Sequence, residues 1–473
     1  MRESVNLTQA FSRILRALLT RSRSQYAALM VFSGMLLADS LFRIYLFPLY
    51  NNFLLKIGAN PVWSDLDVGF APIVWLSFFA IILGSLTIVI TFASQNVPKL
   101  IDLYMDHWPS LFFVWWAAAC LIHAFTIKIL SEAGVEIVSS LIFNYHVLLA
   151  VSLVIGFPFV LSILKSTKTS NVIENLLQGS YAKFKRLAKK GPTGIISPEE
   201  HAKIQYQLFE ELNQLMDLLV FVPYKEPKSQ IIEGIGELLR YYVKLKPKFP
   251  EDFYKIDQQI HDDISFRTLK SLLAEVEKSH TFYEQKSFRM IGNVYNVFLD
   301  KGEFDLSTLC VEQLSQVGKT AIECDDQELI EVITVRLNTY FRFALKHGQH
   351  NNEPRNLYNL VFHYGQFLSY LVEHRQVDRV KTCIGYFVFY GQQCFNAIPR
   401  ARSLAFILDI LASEMQKLMQ IIYQNNWERK LQQELLQKFL LFDNFQDMDK
   451  EIAIRSEEHT SELQSRTNLV CRL

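Results

Sequence analysis

Residues 71–92 have the sequence APIVWLSFFAIILGSLTIVITF and contain no charged side chain. A helix needs about 20 predominantly apolar residues to cross roughly 30 Å of hydrocarbon. Three further stretches satisfy this criterion: residues 26–47, 109–127 and 137–164. The first of them is too long for the core of a signal peptide, and no cleavage site of small residues follows it. The sequence therefore predicts a four-helix transmembrane domain over residues 26–164.

Basic residues flank this predicted bundle. Segment 1–25 contains five arginines and one glutamate, and segment 165–195 contains seven Lys and Arg residues and one glutamate. Short segments rich in Lys and Arg stay in the cytoplasm. We therefore expect a multi-pass protein of the cell inner (plasma) membrane with a basic cytoplasmic N-terminus and a cytoplasmic C-terminus.

The overall charge balance bears on the partners. The chain has 48 basic and 48 acidic residues, so its formal net charge is zero, and the basic segments lie beside the spans. This pattern suits a bilayer with an anionic inner leaflet better than nucleic acid. Contact with anionic lipid is expected from one cluster in the predicted juxtamembrane helix, 165–195, unless that cluster is a solvated helix face or a topology signal: Lys183, Lys185, Arg186, Lys189 and Lys190.

The loop after residue 96 has an apolar stripe at helical spacing. Its members recur at i, i+3, i+4, i+7, i+8 and i+11: Val97, Leu100, Ile101, Tyr104, Met105 and Trp108. This spacing is typical of an amphipathic helix that lies in the membrane interface. Packing of the stripe on the protein's own soluble domain remains an equal alternative, because periodicity does not distinguish lipid from protein.

Residues 165–454 show helical periodicity nearly throughout and no strand alternation. Ser197, Pro198, Glu199 and Glu200 are a strong helix start, and they open a predicted all-α cytoplasmic domain over residues 196–454. From residue 306 onward, helical segments of about twenty residues are interrupted at 323–326, 348–354, 374–376, 399 and 425–426. These interruptions predict helical hairpins. The hairpins could form an α-solenoid-like stack or an irregular bundle, and the sequence does not distinguish the two arrangements. The aromatic stretches 386–390 and 439–442 are interpreted first as core and second as a partner surface.

Four segments resemble known sequences. The runs TFASQNVPKL at 91–100 and ILKSTKTSNVIENL at 163–176, with the TFYEQKSF run at 281–288, resemble motifs of the bacterial membrane family catalogued as domain of unknown function 2254. The run S-P-x-x-N-D-P of that family is replaced here by DKGEFD at 300–305. The resemblance implies a membrane architecture and no settled activity. Residues 455–473, beginning RSEEHTSELQS, resemble translated sequencing-adapter read-through, and we treat them as an artefactual tail that replaces a native C-terminus near residue 454.

Four polar residues inside the predicted spans are candidates for a functional cluster. Asp39 and Arg43 stand four residues apart, a spacing that lets a carboxylate and a guanidinium neutralise each other on one helix face. His123 lies at a comparable depth, about 20 Å from the inner end of its span, and His146 lies somewhat farther out. Such a cluster would be a proton- or ion-sensing site, or it would be a satisfied structural pair with two hydrogen-bonding histidines.

Signals for an enzyme are weak. The sequence contains no P-loop, G-x-G-x-x-G, G-x-S-x-G or H-E-x-x-H motif, and its six cysteines form no C-x-x-C pair. The run HDD at 261–263 has the letters of a metal-dependent phosphohydrolase, but it is better interpreted as an exposed helix turn. We predict no catalytic residue, no metal and no cofactor. The expected function is a sensor or scaffold that presents a helical domain to a protein partner or a homo-oligomer; the alternative is a subunit of an oligomeric ion channel or transporter.

Overall fold

The computed structural model describes residues 22–58, 67–96, 108–166, 168–261, 263, 266 and 273–440. Every regular element within these ranges is helical, which confirms the all-α prediction for them. The chain divides into two compact units, Met1–Val172 and Ile173–Leu473. Segments 1–21 and 97–107 and the tail 441–473 lie outside the described residues, so the predictions made for them stay predictions.

The N-terminal unit, Met1–Val172, consists of long helices with two π-helical turns. Its first helix is continuous through a π turn, and so is its last. In chain order the elements are α1 Ser22–Leu41, a first π turn Phe42–Leu46, α2 Phe47–Lys56, α3 Phe70–Asn96, α4 Trp108–Glu132, α5 Val138–Ile142, a second π turn Phe143–Leu148 and α6 Leu149–Ser166.

Three helices are long and apolar enough to span a membrane: Ser24–Lys56, Leu111–Glu132 and Val138–Gly156. Three of the four predicted spans therefore correspond to helices that could cross a membrane. The second predicted span, 71–92, lies in α3, where the apolar segment found among the described residues is Phe70–Ser85. That segment is shorter than the roughly 20 residues of a full crossing. These findings indicate membrane association through at least the three longer helices.

Helix α4 is the centre of the N-terminal unit, because α1, α3 and α6 all pack against it. Ala117, Cys120 and Ala124 recur on α4 at i, i+3 and i+7 and are completely buried. Such small residues let neighbouring helices approach closely, as they do in membrane bundles. Large apolar side chains face outward instead, for example Leu29 and Val154, which are 68% and 73% exposed. An apolar exterior of this kind suits hydrocarbon better than water.

The C-terminal unit, Ile173–Leu473, contains the remaining described helices. Several short 3₁₀ turns connect them, at Lys246–Lys248, Glu251–Tyr254 and Arg402–Leu404. In chain order the helices are α7 Thr169–Lys190, α8 Pro198–Phe221, α9 Lys225–Leu245, α10 Gln258–His261, α11 Leu273–Lys278, α12 Phe282–Lys301, α13 Phe304–Glu323, α14 Gln327–Asn351, α15 Arg355–Glu373, α16 Val377–Ala397, α17 Ala405–Gln424 and α18 Arg429–Leu440. The first of these, α7, begins within the N-terminal unit, which ends at Val172.

The longer helices of the C-terminal unit form two layers. Helices α9, α13, α15 and α17 pack side by side in one layer, and α8, α12, α14, α16 and α18 do so in the other. Residues about fifty positions apart therefore meet. Ser315 donates to the carbonyl of His363, 48 positions away, and the rings of Phe341 and Tyr390 stack with centroids 4.3 Å apart. Successive helical hairpins lie one on the next.

Helix boundaries in this unit agree with the sequence signals. Ser197 caps α8 by accepting a hydrogen bond from the Glu200 amide at 3.3 Å. The predicted interruptions at 374–376, 399 and 425–426 fall between helices, whereas 323–326 begins at the last residue of α13 and 348–354 overlaps the C-terminal end of α14, which continues to Asn351. Several of these turns contain a residue in the left-handed region, with φ near 50°: Asp325, Asn352, Arg375 and Asn426. A left-handed residue after the last helical turn redirects the chain and lets its amide satisfy free carbonyls of that turn.

Candidate functional site

The predicted pair of Asp39 and Arg43 does not form. Arg43 is exposed and makes no ion pair with a described residue, whereas the Asp39 carboxylate faces the interior of the N-terminal unit. The reason is the first π turn, Phe42–Leu46, which begins between the two residues. Residues four apart share a face in a regular α-helix, but a π turn is wider and bonds i to i+5. Arg43 is therefore turned away from Asp39.

Asp39 instead belongs to a chain of polar contacts across four helical segments, here called the polar relay. Ser140 donates to Asp39 Oδ2 at 2.9 Å, and His123 Nε2 lies 3.6 Å from the same oxygen. On the other side of the ring, Asn144 Nδ2 lies 3.1 Å from His123 Nδ1. Trp75 Nε1 donates to Asn144 Oδ1 at 2.6 Å.

The hydrogen-bond partners of the relay indicate which tautomer of the His123 ring fits them. The indole nitrogen of Trp75 is only a donor, so the Asn144 atom that it contacts must be the amide oxygen. The amide nitrogen of Asn144 therefore points at His123 Nδ1, which has to accept. A neutral imidazole with its proton on Nε2 meets this condition, and that proton faces Asp39. A doubly protonated ring would set two N–H groups against each other at Nδ1.

The relay is largely buried. Asn144 is completely buried, and the side chains of His123 and Asp39 are 7% and 20% exposed. Asp39 Oδ1 is itself buried and has no hydrogen-bond partner among the described residues. A carboxylate with one unsatisfied oxygen in such surroundings is unfavourable when charged.

His146 does not join the relay. It lies exposed in the second π turn, and Tyr50 OH is 3.1 Å from its Nδ1. The two π turns nevertheless meet, since the rings of Phe42 and Phe143 are 5.2 Å apart. Single π turns inside α-helices often mark functional positions. The predicted cluster is thus divided: Asp39 and His123 come together, and Arg43 and His146 lie outside.

The predicted lipid-contact cluster on α7 is also divided. Lys183 pairs with Glu211, and Lys190 donates to Glu200 Oε2 at 2.6 Å. Arg186 also reaches Glu200, with 3.1 Å between the charged atoms, but its side chain stays 69% exposed. Lys185 and Lys189 are exposed. Because two of the cations are neutralised by the protein's own carboxylates, the surface left for anionic lipid is smaller than the sequence predicted.

Other predicted positions fall partly outside the described residues. Five members of the interfacial stripe lie there: Val97, Leu100, Ile101, Tyr104 and Met105. The sixth, Trp108, is the first residue of α4. In the HDD run, Asp262 lies outside as well, and Asp263 accepts from Lys286 at 2.8 and 2.9 Å. Asp263 is therefore committed to an ion pair.

Sequence reasoning missed one cluster in the C-terminal unit, here called the buried triad. Lys246 Nζ donates to Glu284 Oε1 at 2.9 Å and to Asp326 Oδ2 at 2.7 Å. Burial raises the pKa of Glu284, although Lys246 acts in the opposite direction. Burial also opposes the charge on Lys246, but the two carboxylates prevail and raise its pKa. Partners 38 and 80 positions away leave no local signal in the sequence.

Comparisons with protein-family models, with curated proteins and with solved structures found no match to this chain. The resemblance of its motifs to the bacterial membrane family therefore stays a prediction from sequence. Across the described residues, no three His, Cys, Asp or Glu side chains come together as a metal site. Function is accordingly inferred from the polar relay and from the packing of the C-terminal unit.

Proposed function

We propose that this chain is an integral protein of the bacterial inner membrane that presents its C-terminal unit to protein partners in the cytoplasm. The two-layer packing of helices α8 to α18 carries the proposal. Hairpins stacked in this way build an extended surface from many helices, which is how α-solenoids bind other proteins. On this basis the C-terminal unit is α-solenoid-like rather than an irregular bundle, and the chain is a scaffold.

A four-span anchor over residues 26–164 is part of the proposal. Helix α3 has 27 residues, so at 1.5 Å per residue it is about 40 Å long, which exceeds the hydrocarbon thickness. An even number of spans brings both ends to one side. The basic segments 1–25 and 165–195 support placing both of these ends on the cytoplasmic side of the membrane. The short motifs support a place in the family catalogued as domain of unknown function 2254, which we also propose.

The sensing element of this scaffold, in our proposal, is the polar relay. Ionisable residues inside a membrane bundle are hypotheses of function by default. A proton arriving at His123 Nδ1 would convert an acceptor into a donor, and the contact with Asn144 would have to break. Asn144 also holds Trp75 on α3, so the change would pass from α4 to α3. The proton is thus the proposed ligand, and the Asn144 amide is the element that moves.

The scaffold is tested with the full chain purified from native membranes. Mass photometry and quantitative mass spectrometry should find a soluble protein at a fixed stoichiometry. Liposomes that contain the chain should not conduct ions. A symmetric oligomer that conducts ions and carries no partner would overturn the scaffold and favour the channel or transporter subunit.

The sensor is tested by hydrogen exchange between about pH 5 and 8, where histidine titrates. After correction for the intrinsic rate, peptides covering residues 138–148 should exchange faster at low pH in the wild type. His123→Gln should abolish this dependence, because a glutamine side chain does not titrate. His146→Gln is the matched control, and it should retain the dependence. Equal profiles in wild type and His123→Gln would contradict a sensing role.

A further inference from the structure

Arg43 is a charged residue on the apolar exterior of the N-terminal unit. It lies in the first π turn, within the apolar helix Ser24–Lys56, and its side chain is exposed. The three residues that follow it are also exposed: Ile44 at 63%, Tyr45 at 67% and Leu46 at 54%. Charged side chains in membrane helices almost always face the interior of the bundle, where they find partners. Arg43 instead faces outward and pairs with no carboxylate among the described residues.

Contacts with α4 show how this long helix is inclined. Trp115 Nε1 donates to Ser24 Oγ at 2.8 Å. Eight residues farther along α4, His123 Nε2 lies 3.6 Å from Asp39 Oδ2. At 1.5 Å per residue, the stretch between these two contacts is about 22 Å long on α1 but about 12 Å long on α4. Helix α1 is therefore steeply inclined to α4, and tilting is how a helix of 33 residues, about 50 Å long, fits a hydrocarbon layer of roughly 30 Å.

This inclination sets the depth of Arg43. The step from Asp39 to Arg43 along the inclined helix advances only about 3 Å in the direction of α4. On α4 itself, charged side chains begin again at Lys128, about 8 Å beyond His123. Arg43 thus lies about 5 Å inside the level at which charged groups return. An arginine side chain extends over such a distance to the membrane interface while its stem stays in contact with apolar groups.

We propose that Arg43 binds the phosphate of a phospholipid head group, in the leaflet at which α4 ends with Glu132. Every copy of the chain in a bilayer meets phosphate at this level, and the planar guanidinium matches it through two parallel hydrogen bonds. The acyl chains of the same lipid contact the exposed apolar side chains of Ile44, Tyr45 and Leu46. The inference rests on the proposed membrane anchor and adds a lipid ligand beside the polar relay.

The test uses the full chain in detergent and native mass spectrometry, which counts bound lipids. Affinity for phosphatidic acid should exceed that for diacylglycerol with the same acyl chains by roughly tenfold, the size of one charge-assisted contact. Arg43→Gln should remove this difference, and it should fold because Arg43 holds no partner among the described residues. Arg43→Lys keeps the charge without the planar fork, so it should bind more lipid than Arg43→Gln. Lys128→Gln is the matched control, since Lys128 lies at the same interface with Glu132 at 4.0 Å, and it should retain the difference.

Several outcomes would overturn the proposal. They are equal binding of phosphatidic acid and diacylglycerol, an unchanged difference in Arg43→Gln, or the same loss in Lys128→Gln. Displacement of the lipid by inorganic phosphate would instead identify a site for the free ion, and a dimer that dissociates in Arg43→Gln would assign the anion to a second copy of the chain. If the lipid result fails while the chain stays in membranes through an alkaline carbonate wash, only this inference fails. If the wash releases the chain, the proposed membrane anchor fails independently.

Discussion

Replacing Lys246 by Met tests the buried triad most directly. Lys246 lies within 2.9 Å of Glu284 and 2.7 Å of Asp326, and the Glu284 side chain is completely buried. Methionine has nearly the same length but no charge, so two carboxylates would remain together without a cation. Breaking a buried ion pair by removing one partner costs about 3–5 kcal/mol. We expect a loss near the lower figure, since Asp326 is 14% exposed and retains some water.

Hydrogen exchange followed by mass spectrometry gives the local free energy of opening. A loss of about 3 kcal/mol corresponds to a roughly hundredfold faster exchange, since each 1.4 kcal/mol is a factor of ten. Peptides from α9 and α12 should show it. Lys417→Met is the matched control, because Lys417 pairs with Glu414 while 58% exposed, and such pairs contribute about 0–1 kcal/mol. Acceleration of less than tenfold in Lys246→Met would refute the reasoning.

The pH dependence has a definite sign. Burial raises the pKa of Glu284, and Lys246 is the interaction that lowers it, so removing Lys246 raises this pKa further. A carboxyl whose pKa is raised on folding binds more protons in the folded state, so stability increases as pH falls towards the unfolded value of about 4.3. Lys246→Met should therefore regain stability from pH 7 to about pH 5. The double variant Lys246→Met with Glu284→Gln should not, because its amide does not titrate.

Three further substitutions test the helix packing and turns, each followed by local hydrogen exchange. Gly318→Ala should destabilise by about 1–3 kcal/mol, because a Cβ there would lie 2.6 Å from the Phe367 ring, and accelerated exchange in α13 and α15 would be the readout. Ser197→Ala should cost about 1 kcal/mol through loss of the cap, measured in the first turn of α8. Arg375→Gly should stabilise by about 0.5–1 kcal/mol, because φ of 55° is unfavourable for arginine; faster exchange around that turn would contradict this explanation.

Local signals in the sequence predicted much of the fold. Ser197 marks a helix start, and the predicted interruptions after residue 306 overlap the observed turns, because capping and chain reversal depend on neighbouring residues. Hydropathy identified three helices that are long and apolar enough to span a membrane, whereas the described apolar part of α3, Phe70–Ser85, is shorter than the predicted span 71–92. Such features are set by a few consecutive side chains.

The candidate site was predictable only in part. His123 and Asp39 were identified because polar residues are rare in apolar helices. The sequence paired Asp39 with Arg43, whereas in the structure Asp39 lies next to His123. The π turn that separates Asp39 from Arg43 has no simple sequence signature. Ser140, Asn144 and Trp75 become partners only when four separate helical segments pack together.

The π turns also bear on how this chain tolerates changes in length. Each amino acid advances an α-helix by about 100° around its axis, so loss of one residue from a regular span would rotate everything beyond it to another face. A π turn accommodates one additional residue within a single turn while the helix continues on either side. A single-residue deletion inside Phe42–Leu46 should therefore convert that turn to α-helix and leave the outer part of the span facing its present neighbours. The π turns are thus the positions in these helices where one codon could be gained or lost with least disturbance to the bundle.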